Sequence, residues 1–449
     1  MIIVLLPFHA FLTVWLASAI DHYTLLRLWK EFLLIIISAG VIYLLVKDSR
    51  LRRQILSSRL AQLIAVYFLI SLVWGIAAYA FDKTTIKALG FGLIVNLRFL
   101  IFFLAIWIIA TPHQKLDAPQ SDYRLLRSGF GAGQAKSWLM DHWQAMLLVP
   151  AAVVIVIGLL QWLVLPFDVL KHFGYSSETI FPYQTINRDI NYPRIMSTLR
   201  GANPLGAYLV LILSGLAVFF LKYKKSRRLW SLFGIAGLGA LFFSFSRGAW
   251  IGLALSGLLL AWVSIKNFRL KKLFFGSLVV LLVIGAASAL ALRNNSTFQN
   301  YFFHTNDRST INESSNEEHI SAFRSGLDDV ANEPQGQGIG TAGPASVYNN
   351  DKVRIADNYF IQIGQEVGWL GLVVFLAINF LVARELWVRR DDNLALILLV
   401  SLLGLTAVNL VSHAWTDDTL AYIWWGLAGV AIATPAATGK KKQATTKNT

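Results

Sequence analysis

Apolar runs of close to 20 residues follow one another along almost the whole chain. They lie at about 2–20, 25–46, 60–80, 89–110, 143–165, 204–221, 229–245, 248–265, 272–292, 358–383, 393–411 and 420–434. A helix of about 20 apolar residues crosses the hydrocarbon core of a bilayer, where the backbone must satisfy its own hydrogen bonds. The repetition predicts an all-α polytopic membrane protein with about 12 transmembrane helices. Composition agrees: 56% of the 449 residues are hydrophobic and 14% are charged, against about 25% charged in a soluble domain. A water-soluble globular fold is excluded. Cysteine is absent, which removes disulfides, thiolate metal sites and cysteine nucleophiles. Ala17-Ser18-Ala19 mimics a signal-peptidase site, but no Lys or Arg precedes the first run, so a retained span is expected.

The formal net charge is +15, yet Lys and Arg gather in every second connection between runs, as in Lys47, Arg50, Arg52, Arg53 and Arg59, or Lys222, Lys224, Lys225, Arg227 and Arg228. Basic residues mark cytoplasmic loops. The pattern therefore predicts a multi-pass protein of the plasma (inner) membrane with both termini cytoplasmic, and no nucleic-acid surface. Residues 1–435 form the expected integral membrane domain. The small, polar, basic stretch 436–449 is predicted to be a disordered cytoplasmic tail. Two long segments, 166–203 and 293–357, face the other side as extracytoplasmic loops. Any chemistry is expected there, because the cytoplasmic connections are too short or too basic to build a catalytic domain.

The larger loop, 293–357, is predicted to be partly helical. Ser315 and Glu318 fit a capping box, and Ile320, Phe323, Leu327 and Val330 then recur on one face. His319 and Arg324 border that stripe, and Pro334 ends it. Residues 338–343 match G-x-G-x-x-G, but no strand or βαβ unit surrounds them, so a dinucleotide site is rejected. Their glycines either approach an anion or permit tight turns. In the smaller loop, Arg194 and Arg200 precede Asn203-Pro204, which suit the N-cap and N1 positions of the sixth span. Arg247 sits in the short hairpin before the eighth span, and Asp357, with Asn358 beside it, is the expected N-cap of the tenth. Three helix N-termini, several guanidinium groups and one carboxylate would together suit a pyrophosphate and the deprotonation of a hydroxyl.

Four stretches in order resemble the O-antigen ligase and O-antigen polymerase superfamily. They are Arg200-Gly201-Ala202-Asn203-Pro204-Leu205-Gly206, Ser246-Arg247-Gly248-Ala249-Trp250, Pro334 through Gly340, and Asp357-Asn358-Tyr359-Phe360 with Glu366-Val367-Gly368-Trp369. The similarity spans roughly 180–380. It implies a GT-C-like membrane glycosyltransferase that moves a glycan from undecaprenyl-pyrophosphate to a glycan or lipid-glycan acceptor hydroxyl, inverting the anomeric carbon without a metal or other cofactor. By that resemblance Arg247 would neutralise the pyrophosphate, with Arg194 or Arg200 assisting and Arg324 or Arg308 supplying a loop arginine. Ligases of the family place His before the Asn that opens the tenth span. This chain has Asp357 there, a carboxylate that would serve as the catalytic general base, with His319 as another candidate to supply the missing imidazole. The alternative reading is a secondary transporter or flippase of 12 spans, and a third is a scaffold protein. Transporters place ionisable groups near mid-membrane, whereas the only polar groups singled out inside these spans are Asn96 and Arg98, with no carboxylate pair expected.

Overall fold

A computed structural model describes residues 1–111, 132–186, 189–295, 298–299, 315–350 and 353–433. The principal helices are α1 (Ile2–Ile20), α2 (Trp29–Lys47), α3 (Arg59–Ala80), α4 (Ile86–Ala110), α5 (Ala132–Leu163), α6 (Ala202–Lys222), α7 (Arg227–Phe243), α8 (Arg247–Ser264) and α9 (Phe268–Ala291). They continue as α10 (Ser315–Asn332), α11 (Tyr359–Val388), α12 (Asn393–Asn409) and α13 (Asp418–Ala433). Every expected span coincides with a helix. Among the described residues eight are long and apolar enough by themselves to cross a membrane: α1 to α4, the Asp141–Leu163 part of α5, α6, α8 and α11. The expectation of about 12 is thus met by helices but not by twelve full-length spans. Two of the remainder, α12 and α13, have 17 and 16 residues, and both are sheathed by neighbours.

The centre of the bundle is α13, buried from Thr419 to Ala433. It packs on α4 through Phe99 and Phe103 against Trp425 and Phe102 against Tyr422, with ring centroids 5.1–5.6 Å apart. Small residues let backbones approach. A Cβ on Gly429 would stand 2.8 Å from the Phe103 carbonyl, and one on Gly252 of α8 would stand 2.7 Å from the Gly404 carbonyl of α12. Close approach of this kind replaces the hydrophobic drive that helices lack in lipid.

The fold is not purely helical. Residues 166–203 contain a two-stranded antiparallel hairpin, β1 (Gln184–Ile186) and β2 (Asp189–Arg194), with Gln184 opposite Arg194. Its end is stapled to the C-terminus of α7, where the last carbonyls of a helix lack internal partners. Ile195 N donates to Phe243 O (3.2 Å) and Arg194 Nε to Ser244 O (2.8 Å).

The glycine-rich stretch after Pro334 inserts as backbone among α3, α4 and α11. Helix α11 breaks at Gly368 (φ 65°), which frees two carbonyls and an N–H that an unbroken helix would pair internally. The inserted segment takes them up: Gln337 N donates to Gln365 O (2.8 Å), Gly338 N to Glu366 O (2.7 Å), and Trp369 N to Pro334 O (2.9 Å). Ile339 is fully buried beside Gly75 and Gly92. Below it the Glu366 carboxylate accepts from Gly340 N (2.8 Å) and Asn96 Nδ2 (2.8 Å). Of the two readings left open for these glycines, close packing and positive φ account for them; Gly336, Gly338, Gly340 and Gly343 all have positive φ. The interior also holds more ionisable groups than expected. Glu366 pairs with Asn96, while Arg98 pairs with Glu31 (2.9 Å) and Asp418. Arg308 and the tail 436–449 lie outside the described residues, as do the side chains of Ser315 and Glu318.

Candidate active site

The starts of α6, α8 and α11 and the end of α12 surround a cavity of about 540 Å³, roofed by α10. Its polar wall brings together Arg194, Asn203, Arg247, His319 and Asp357, and its apolar wall includes Ile251 and Phe323. Of the arginines singled out in the sequence, Arg194 and Arg247 share this space. Arg200 lines a different cavity. Arg324 is exposed on α10 and lines neither.

Each side chain is positioned by its element. Arg194 closes β2 and is gripped at both ends of its guanidinium: Nε donates to Ser244 O and Nη2 to Asn203 Oδ1 (2.6 Å). Asn203 is therefore not the N-cap of α6. The helix starts two residues earlier, with Gly201 in the cap position, and Gln184 Oε1 accepts from Ala202 N (2.8 Å). Burial, and after it the charge of Arg247, pull the Arg194 guanidinium down to about 10, so it stays protonated at neutral pH. Arg247 opens α8. The turn before it holds Phe245 at φ 49°, a left-handed conformation costly for an aromatic residue. Packing against Phe242 (5.6 Å) and Trp162 (6.0 Å) holds it there. The N-terminus of α8 adds its dipole to the two guanidinium groups.

The opposite side carries a carboxylate and an imidazole. Asp357 was expected to cap α11, but Asn358 does so: its Oδ1 accepts from Phe360 N (2.9 Å) and Ile361 N (3.0 Å), and its Nδ2 donates to Leu410 O (2.9 Å). The cap thus falls one residue later, and Asp357, at φ 50°, is released from the helix. Its Oδ2 lies 2.9 Å from His319 Nδ1 on α10. Burial alone would raise the Asp357 carboxyl, but the hydrogen bond and charge of His319, with His413 adding to them, hold it below the usual carboxylate range.

His413, in the connection between α12 and α13, gave no signal in the sequence. Burial lowers its imidazole, as does the charge of Arg200, while Asp357 acts in the opposite sense. Asn203 reads as a cap rather than as the partner that orients Arg194, because β2 and Asn203 meet only in the folded chain. Among the described residues no group of three His, Asp or Glu side chains is placed to hold a metal ion.

Two cations, a helix N-terminus and an imidazole–carboxylate pair across 540 Å³ form a site that can hold a doubly charged phosphate group and accept a proton opposite it. A search of the curated proteins finds no match. Residues 232–376 match the family model of O-antigen ligase, a narrower range than the motifs suggested, leaving Arg194 and Arg200 outside it. Arg247, His319 and Asp357 all lie within the matched range, which is similar to O-antigen ligase over about a third of the chain.

Proposed function

We propose that this protein is a GT-C-like glycosyltransferase that moves a glycan from undecaprenyl-pyrophosphate to the hydroxyl of a glycan or lipid-glycan acceptor, at the outer face of the plasma membrane. The observation that carries the reading is the shared cavity of Arg194, Arg247 and the His319–Asp357 pair. The donor pyrophosphate lies against the two guanidinium groups and the start of α8. The acceptor oxygen attacks the anomeric carbon from the face opposite the pyrophosphate, the carbon–oxygen bond to phosphate breaks, and the sugar carbon inverts. The two arginines take up the charge that develops on the leaving group.

The acceptor proton has two possible destinations, Asp357 and His319. A carboxylate held below its usual range is a weak base. With His319 Nδ1–H donating to Asp357 Oδ2, the other ring nitrogen is left as an acceptor. Asp357 then fixes the tautomer and stabilises the imidazolium that forms. His319 receives the proton, and Asp357 positions it. The basic connections at the other ends of the helices support an outer-face position for this cavity, with both termini cytoplasmic.

Arg247→Ala should lower transfer of a lipid-linked glycan by about 10²–10³-fold in protein that remains folded. Undiminished turnover would refute the reading. For the alternative, a 12-span transporter or flippase, the charges between α2, α4 and α13 are the feature to weigh. Ion-dependent solute uptake into proteoliposomes, without glycan transfer, would favour it.

A further inference from the structure

A second cavity of about 300 Å³ opens among the starts of α2, α4 and α13, and the proposed transfer makes no use of it. Its floor is electrically closed. Lys30 pairs with Glu31 (3.1 Å) and Asp418 (2.8 Å), and Arg98 pairs with the same two carboxylates. The rim is not closed. Arg27, Lys87 and Arg200 stand there with one carboxylate, Asp417, whose Oδ1 accepts from Leu420 N (3.2 Å) at the start of α13. Five Lys and Arg against three carboxylates leave the lining with a formal charge of +2, taking His9 as neutral.

Two rim cations are preorganised on aromatic rings. Arg27 lies 5.4 Å from the Phe91 centroid, Lys87 lies 4.4 Å from that of Tyr348, and the two rings meet edge-to-face at 5.1 Å. The mouth is thus a ladder of cation, ring, ring and cation. Deeper in, Arg98 lines the cavity, and its buried Nε has no hydrogen-bond partner.

We propose that this cavity binds a phosphate ester, with the phosphate between the rim cations and its sugar or glycerol headgroup against Phe91 and Tyr348. The two cavities lie on either side of the 410–417 connection, which gives Leu410, Val411 and Ser412 to the first and Thr416 and Asp417 to the second. A phosphate held at the rim brings the rest of an acceptor toward the His319–Asp357 pair. That role rests on the transfer reading, whereas the binding does not.

The test uses the full chain carrying Arg247→Ala, which weakens phosphate binding in the first cavity, reconstituted in phosphatidylcholine nanodiscs. Its unfolding midpoint is followed during titration with glucose 6-phosphate and with glucose. Saturable stabilisation by the phosphate ester alone is expected, with the apparent Kd weakened roughly tenfold or more by Arg27→Ala with Lys87→Ala. Arg200→Ala should weaken it separately. In a parallel arm, nanodiscs containing phosphatidylglycerol replace the soluble ester. Stabilisation confined to that arm, and abolished in the same variants, supports the site and assigns the phosphate to a lipid headgroup. Absence of stabilisation in both arms, or stabilisation equal in the rim variants and the parent, overturns the proposal. Failure of glycan transfer would leave this result standing.

Discussion

Replacing Asp357 with Asn separates the chemistry of the site from its architecture. The helix cap belongs to Asn358, so the substitution removes no bond that holds α11. Residue 357 sits at φ 50°, a region that Asn enters more readily than other non-glycine residues, so the backbone is not strained. What disappears is the negative charge 2.9 Å from His319 Nδ1, in a pair whose side chains are 46% and 38% exposed. An exposed pair of this kind contributes roughly 0.2–1 kcal/mol, and solvent puts this one toward the low end. The unfolding midpoint should therefore move little. Transfer should fall by about 10²–10⁴-fold, the range of general acid–base assistance, because Asn cannot stabilise the imidazolium at His319. The matched control, Asn358→Ala, removes a cap and a bond to Leu410 O. It should cost about 1–2 kcal/mol of stability, seen as a lower midpoint, while folded protein keeps most of its rate. The assay is steady-state transfer of a lipid-linked glycan, normalised to folded enzyme. Full turnover in Asp357→Asn, or a fall in rate that merely tracks unfolding, would refute the assignment.

Three further outcomes follow from the packing and charges. A methyl group on Gly92 would stand 2.8 Å from Ile339 Cγ2 and 2.9 Å from Gly340 N, so Gly92→Ala should destabilise by about 1–3 kcal/mol and expose the 334–343 segment to proteolysis. Arg98→Gln leaves Lys30 as the one remaining Lys or Arg paired with Glu31 and Asp418, with the His9 ring 3.4 Å from Asp418; removing one partner of a buried pair costs about 3–5 kcal/mol, measurable as a lower midpoint in detergent. His413 is held at about 4 against an ordinary 6.5. Between those values the unfolded chain takes up a proton that the native one refuses, so stability should fall as pH drops through that window. His413→Asn should flatten the slope of midpoint against pH.

The positions and order of the helices, though not the number of full-length spans, were legible in the sequence because each apolar run must pair its own backbone in lipid, a rule that needs no knowledge of neighbours. Arg194, Arg247, His319 and Asp357 were also visible as unusual groups at helix starts or on an amphipathic face. Their grouping was not. Arg200 and Arg194 are six residues apart in the chain, yet β2 carries one into the first cavity and the start of α6 leaves the other in the second. Asp357 and Asn358 exchanged roles because the cap is decided by one residue of helix phase. The break at Gly368 acquires its meaning only when Pro334, Gln337 and Gly338 arrive to pair the groups it frees. Local backbone chemistry and hydropathy act over a few residues, so one chain reports them. Which polar groups meet depends on side-chain packing between helices remote in sequence, and only the folded bundle sets it.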